Sequence, residues 1–177
     1  PEGGETIGRA TPAFSNDGAS MYVINDATLH PLMAFSTVTG PSVWRGLANP
    51  SDPSANYLGV ESPVVAPDGT VYLANEQGKV MSFKPDGTPG WSRTIAAGQR
   101  IVASPAIGSD GSDYVIGVSV YRDHRGGKTV NRVDSALHVF NSTGGYLGQT
   151  IFPDHNGGGG TTASPNLWRF NGTELLI

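Results

Sequence analysis

Three carboxylates, Asp17, Asp68 and Asp110, each stand immediately before a glycine. Brought to one place they could hold a hard divalent cation, which takes several oxygen ligands. They recur instead at one point of a repeated pattern, far apart in the chain. A tight turn used three times needs that arrangement and a single metal centre does not, so these residues are expected to be turn formers. The four histidines (His30, His124, His138 and His155) show no paired spacing of the zinc type, and no metal site is expected. The absence of cysteine removes disulfides, thiolate catalysis and Cys-ligated zinc together.

Two other stretches carry chemical potential. "YRDHRGGKTVNRVD" (121–134) is the most charged segment, with Arg122, Asp123, His124, Arg125, Lys128, Arg132 and Asp134. It could meet an anionic partner or a glycan, or be a solvated hairpin extension. "FPDHNGGGGTTA" (152–163) holds Asp154 and His155 beside four glycines. It lacks the Gly-Lys-Ser/Thr ending of a phosphate loop and runs into a proline-containing strand, so it reads as a linker. Asn141-Ser142-Thr143 and Asn171-Gly172-Thr173 fit glycosylation acceptors, although both fall in repeated turns.

Only 15% of the 177 residues are charged, and the net charge is −4. The 11 basic residues are scattered singly, so there is no patch for a nucleic-acid backbone and no nucleic-acid partner is expected. No apolar run reaches the roughly 20 residues that span a bilayer. The 25 glycines and 13 prolines suit many short strands joined by turns. The chain opens on "PEGGETIGRATP" and stops on "NGTELLI", inside a strand-like run, which is expected of a piece of a longer protein.

The elements that hold these residues come from a repeat. A Ser/Thr-Pro pair stands at Thr11-Pro12, Ser62-Pro63, Ser104-Pro105 and Ser164-Pro165. After each comes a short apolar piece, a turn ("SNDG", "APDG", "GSDG", "RFNG") and a second apolar run ("MYVI", "VYLA", "YVIG", "ELLI"). Asp-Gly and Asn-Gly between such runs predict two-residue hairpin turns with positive φ at both positions. The second runs are continuously apolar, as in strands covered on both faces. A third strand and a glycine turn into a fourth follow. The pattern predicts an all-β chain: a β-propeller fragment of four-stranded antiparallel blades, about three and a half of them, with essentially no helix. The blades are placed at about 11–47, 62–97, 104–152 and, incomplete, 164–177, within one propeller spanning 1–177.

The third-to-fourth strand segments are themselves alike. "AFSTVTGPSVW" (34–44), "SFKPDGTPGW" (82–91) and "VFNSTGGYLG" (139–148) share a small residue before Phe, a glycine in the turn, and Trp44, Trp91 or, near the same slot, Leu147. Residues Ala34, Thr39, Gly40 and Trp44 make the pattern Ala-x-x-x-x-Thr-Gly-x-x-x-Trp. It resembles the tryptophan-docking repeat of PQQ-like (quinoprotein alcohol dehydrogenase-like) propellers, with Ser36 where Asp is commoner. The resemblance implies that Trp44 and Trp91, with the turn glycines Gly40 and Gly87, dock each blade on the next. The later starts also resemble FG-GAP-type repeats, but lack the Asp-x-Asp-x-Asp calcium ladder of those repeats.

In such a blade the tight turns fall on one rim, and the second-to-third connections and blade linkers on the other. The segments 24–31, 45–61, 121–134 and 152–163 all belong to the second rim, which is where a rigid scaffold usually carries binding. The expected partner contacts are Arg122, His124, Arg125, Asp154 and His155. The resemblance implies two readings. One is a non-catalytic binding or assembly scaffold for a protein or glycan partner, secreted, periplasmic or at the cell surface, with no cofactor. The other is a fragment of a dehydrogenase that oxidises an alcohol or sugar with PQQ and calcium. The second needs a stacking Trp, a Glu and an Asn or Asp on calcium, a catalytic Asp, and often a Cys pair. That constellation does not assemble from these rim loops.

Overall fold

The computed structural model describes residues 10–24, 32–39, 42–46, 62–75, 78–95, 99–101, 103–109, 114–123, 133–152, 167–170 and 173–176. Every regular element among them is a strand. The first sheet holds β1 (Ala13–Phe14), β2 (Ser20–Ile24), β3 (Leu32–Ser36) and β4 (Ser42–Gly46). The second holds β5 (Val64–Val65), β6 (Val71–Ala74), β7 (Lys79–Phe83) and β8 (Pro89–Thr94). In the third, β10 (Ala106–Ser109), β11 (Tyr114–Asp123), β12 (Val133–Asn141) and β13 (Tyr146–Phe152) follow the same order. A fifth strand, β9 (Gln99–Ile101), pairs with the far end of β11, so this sheet takes in residues ahead of position 104. A last hairpin joins β14 (Leu167–Phe170) to β15 (Thr173–Leu176).

All pairings are antiparallel and, apart from that of β9 with β11, join chain neighbours, and the sheets stack face to face. β6 shows why its sequence is continuously apolar. Val71 and Leu73 point back into a cluster with Tyr22, Ile24, Leu32 and Ala34 of the first sheet. Tyr72 and Ala74 point forward into a cluster with Ile116, Val118, Ala136 and Phe140 of the third. All four residues of β6 are buried, because both faces of the strand meet protein. The two clusters are the seams between successive sheets, and each fully buried large apolar side chain contributes about 1.5–3 kcal/mol there. The short first strands β1, β5, β10 and β14 touch one another in succession, so they line a common axis. Sheets arranged radially about an axis by their first strands form a propeller.

The described Asp-Gly turns correct one sequence expectation, since Asp17-Gly18 and Asp68-Gly69 lie in loops longer than two residues. In the last hairpin Phe170 pairs directly with Thr173, the spacing expected of a two-residue connection. Ala66 and Thr70, Asn75 and Lys79, Lys84 and Thr88, and Asn141 and Gly145 each close a three-residue loop by backbone hydrogen bonds of 2.8–3.0 Å. Only the last loop residue, the glycine, needs the left-handed region: φ is +85° at Gly69, +77° at Gly78, +85° at Gly87 and +81° at Gly144. This is a reverse turn followed by a glycine bulge, which matches the right-handed twist of the flanking strands. The first-sheet turn is one residue longer, with Ser15 N–H donating to the Ser20 carbonyl at 2.8 Å.

The Ser/Thr-Pro register also acquires a physical cause. The residue before a proline is held extended, which presents its own N–H sideways. Thr11 N–H donates to Ser62 Oγ at 2.8 Å, and Ser62 N–H donates to Ser104 Oγ at 2.9 Å. Each serine hydroxyl thus satisfies the backbone of the preceding sheet near the axis. The Ser62 N–H is partly buried, and removing its acceptor leaves it unpaired, which costs about 1–3 kcal/mol. Ser104→Ala should lower stability by that order in urea unfolding, and Ser104→Thr should restore most of it. An alanine variant that unfolds like the parent would show that the link contributes nothing.

Candidate functional site

The best-formed concavity among the described side chains lies at the seam between the second and third sheets, on the rim of tight turns. Its centre is Trp91 on β8. The Trp91 N–H donates to Ser82 Oγ at 2.8 Å, and that hydroxyl donates to the Trp91 carbonyl at 3.2 Å. The double link fixes the outer strand where its register slips against β7. The indole Nε1–H then crosses the seam to the Ser142 carbonyl at 2.8 Å. Its ring lies 5.5 Å from Tyr72 and 5.9 Å from Phe140, centroid to centroid. Arg93 Nε–H donates to the Gly144 carbonyl at 2.9 Å, and the Tyr72 hydroxyl to the Ser142 carbonyl at 3.3 Å. Three side chains of one sheet therefore grip one turn of the next. Trp91 remains half-buried rather than enclosed, because its outer edge borders the concavity.

That concavity has a volume of about 320 Å³ and is lined by Asp68, Thr70, Ser82, Lys84, Trp91 and Thr143, with Gly90 and Ser142 between them. The Asp68 carboxylate accepts the Thr70 N–H and the Thr70 hydroxyl, both at 2.9 Å. Asp68 and Asp17 are turn residues in this way, while Asp110 lies outside the described residues. Asp17 takes the Ala19 N–H at 3.0 Å and the Ser15 hydroxyl at 2.6 Å, and Asp86 takes the Thr88 N–H at 2.9 Å. The Ser15 hydroxyl, with Ala19 N–H, holds Asp17 below the usual carboxylate range, and the Thr88 N–H and hydroxyl do the same for Asp86.

The opposite rim is built differently. The stretch 121–134, expected as an irregular loop, is in strand at both ends. Arg122 pairs with Asp134 across β11 and β12, Asp123 with Val133, and Tyr121 and Arg122 pair with Arg100 and Gln99 of β9. The third strand supplied by β9 satisfies the edge and lets the hairpin run on. Of the expected partner contacts, Arg122 sits on this extension, while His124, Arg125, Asp154 and His155 lie outside the described residues. Trp44 stands on β4 opposite Ala34, and Gly40 lies outside the described residues. Gly87 closes its turn on the Lys84 carbonyl at 2.9 Å. His138, 5% exposed, lies in line with Ala136 and Phe140, its Nδ1 3.3 Å from the Tyr146 hydroxyl.

The third repeat needs a correction of one residue. Ala34 faces Trp44, and the equivalent Val139 faces Gly148, so the tryptophan slot holds Gly148 rather than Leu147. A bulge between Val139 and Phe140 displaces Leu147, which is 53% exposed. The nine positions from Ser82 to Trp91, counted from Val139, also land on Gly148, and the same register shift occurs in the first two sheets. The grip of Tyr72 and Arg93 was also missed, although "MYVI" and "VYLA" place Tyr22 and Tyr72 at one repeat position.

No protein-family model matches the chain, and no curated protein matches it. Among solved structures, it is similar to a europium-containing methanol dehydrogenase, with a TM-score of 0.55 and 16% identity over 84% of this chain and 26% of that one. The likeness is one of fold, that of a β-propeller. The chain is also similar to BamB from Moraxella catarrhalis, with a TM-score of 0.47 and 16% identity over 82% of this chain and 52% of that one. It therefore spans about a quarter of the first propeller's chain and about half of the second's. No helix among the described residues is long and apolar enough to cross a membrane.

Two outcomes follow from the grip and the turns. A Cβ at Gly144 would stand 2.5 Å from Trp91 Cδ2, at a φ of +81°. Gly144→Ala should therefore cost more in thermal unfolding than the about 1–2 kcal/mol of left-handed strain alone. Trp91→Ala should cost about 3 kcal/mol, the low end for a large aromatic because the ring is half-buried, and Trp91→Phe less. An aspartate held low in the fold stabilises it above its unfolded value, and that contribution is lost as pH falls through the folded value. Stability should drop below about pH 4, and the double variant Asp17→Asn, Asp86→Asn should flatten the drop in acid urea titrations.

Proposed function

We propose that this chain is part of a non-catalytic PQQ-like propeller that serves as a binding or assembly scaffold for a protein or glycan partner in the cell envelope or outside the cell. The observation that carries this reading is the extended hairpin of the third sheet. β11 and β12 run for 10 and 9 residues, against 4 and 5 for the equivalent β6 and β7. Beyond Ser119, the register equivalent of Ala74, β11 continues for four residues, about 13 Å. The extension is braced by β9, whose Ile101 is buried in the seam with the second sheet, and it places Arg122 and Asp134 on paired backbone beyond that residue. In this reading Arg122, His124 and Arg125, with Asp154 and His155 on the following linker, meet the partner. Trp44 and Gly40 serve the first seam as Trp91 and Gly87 serve the second.

The alternative, a fragment of a PQQ- and calcium-dependent alcohol or sugar dehydrogenase, is favoured by the similarity to a methanol dehydrogenase. Among the described residues no three His, Cys, Asp or Glu side chains lie close enough to hold a metal ion. The full-length protein supplied with PQQ and calcium separates the two readings: dye reduction driven by an alcohol or sugar would overturn the scaffold. For the surface itself, residues 124–132 replaced by Asn-Gly should leave the thermal midpoint unchanged, since Asp123 already pairs with Val133. A photo-crosslinker at position 125 should give a discrete adduct in whole cells. One at Val38, 85% exposed on the other rim, should not. Equal adducts from both positions would place the partner elsewhere.

A further inference from the structure

We propose that the concavity beside Trp91 is a binding site for a small neutral saccharide. It shares no residue with the extended hairpin, so it stands or falls apart from the scaffold reading. The argument rests on where the hydrogens point. The Thr70 hydroxyl gives its proton to Asp68 at 2.9 Å, and the Thr143 hydroxyl gives its proton to Asn141 Oδ1 at 3.0 Å. Both oxygens therefore offer the cavity lone pairs and no donor. The Ser82 hydroxyl is engaged with the Trp91 backbone in both directions and forms the floor. Lys84 is exposed and brings only donors.

A ligand for these walls has to donate to two hydroxyl oxygens and accept from an ammonium. An inorganic anion brings at most one or two hydrogens and meets the Asp68 carboxylate. A cation meets Lys84. A neutral ring bearing several hydroxyl groups satisfies both demands, since each hydroxyl donates and accepts. The edge of Trp91 supplies the apolar contact, and Gly90 leaves the floor open where a side chain would run into Ser82 Oγ. A volume of about 320 Å³ lies at the small end of ligand pockets, about 300–1,000 Å³. Two sheets supply the walls, so a bound sugar would also bridge the seam.

The test is saturation-transfer NMR on the full chain, with glucose, galactose and maltose as probes and inorganic phosphate and glucuronate as comparators. At least one neutral sugar should receive saturation, and phosphate should not displace it. Lys84→Met and Thr143→Val each remove one exposed polar group and should weaken that binding by about tenfold, the worth of one hydrogen bond, with the thermal midpoint unchanged. Three results would overturn the proposal. They are no transfer to any neutral sugar at tens of millimolar, displacement by phosphate, and binding unaltered in both variants.

Discussion

A β-sheet has two faces, and the sheets of this chain place apolar side chains on both. That constraint governs the rest of the structure. A strand such as Val71–Ala74 cannot be soluble on either side, so a sheet of this composition is stable only when sandwiched between two others. Stacking about an axis is the geometry in which every sheet has two neighbours. The core of the molecule is accordingly divided into seams, one for each pair of neighbouring sheets, instead of forming one central body. Each seam then needs polar groups at its ends that hold the register of one sheet on the next. The serine hydroxyls near the axis supply one end, and Asn16, whose amide donates to the carbonyls of Ala66 and Pro67 at 2.9 and 3.1 Å, supplies part of the rim.

The seams are not equivalent. On its forward face the second sheet places Tyr72, Ser82 and Trp91 in one cross-strand row, and Arg93 beyond them. The same row of the third sheet reads Gly117, Val139 and Gly148, with Thr150 in the place of Arg93. Both aromatic rings and the guanidinium that grip the next turn are thus replaced by residues with little or no side chain. A Cβ at Gly148 would meet nothing within 4 Å, so the slot that Trp91 fills in the second sheet is open space there. Among the described residues, the aromatic grip on a neighbouring turn belongs to the seam between the second and third sheets.

Much of the fold was legible because its signals are local. A serine before a proline, a glycine closing a turn and a continuous apolar run each occupy a few adjacent residues, and their repetition gives the sheet count. What escaped depends on pairing between strands. Pro85-Asp86-Gly87 contains an Asp-Gly pair whether its loop has two residues or three, and only the pairing of Lys84 with Thr88 decides. Leu147 stands one residue short of the spacing that separates Ser82 from Trp91, and the pairing of Val139 gives the slot to Gly148. The concavity beside Trp91 was invisible for a stronger reason. Asp68, Lys84 and Thr143 share no local motif, and meet only because two sheets stack in one register.

The two rims consequently differ in what they can do chemically. On the rim of tight turns each loop spends its side-chain acceptors on its own backbone, as Asp17, Asp68, Asp86 and Asn141 all do. Polar groups there are fixed in direction by the turn, which suits recognition of a small molecule by a few oriented contacts. On the opposite rim, among the described residues, Asn75 and Lys79 of the second sheet close a tight connection, and Ile95 N–H reaches the Gly78 carbonyl at 2.7 Å. The third sheet there grows outward instead, as a ladder whose backbone is satisfied along β9, β11 and β12. Ile101 of β9 is buried in the seam with the second sheet, so the strand that braces the ladder is itself anchored in the core. The ladder carries Arg122, Asp123 and Asp134 on paired backbone, in a chain otherwise poor in charge.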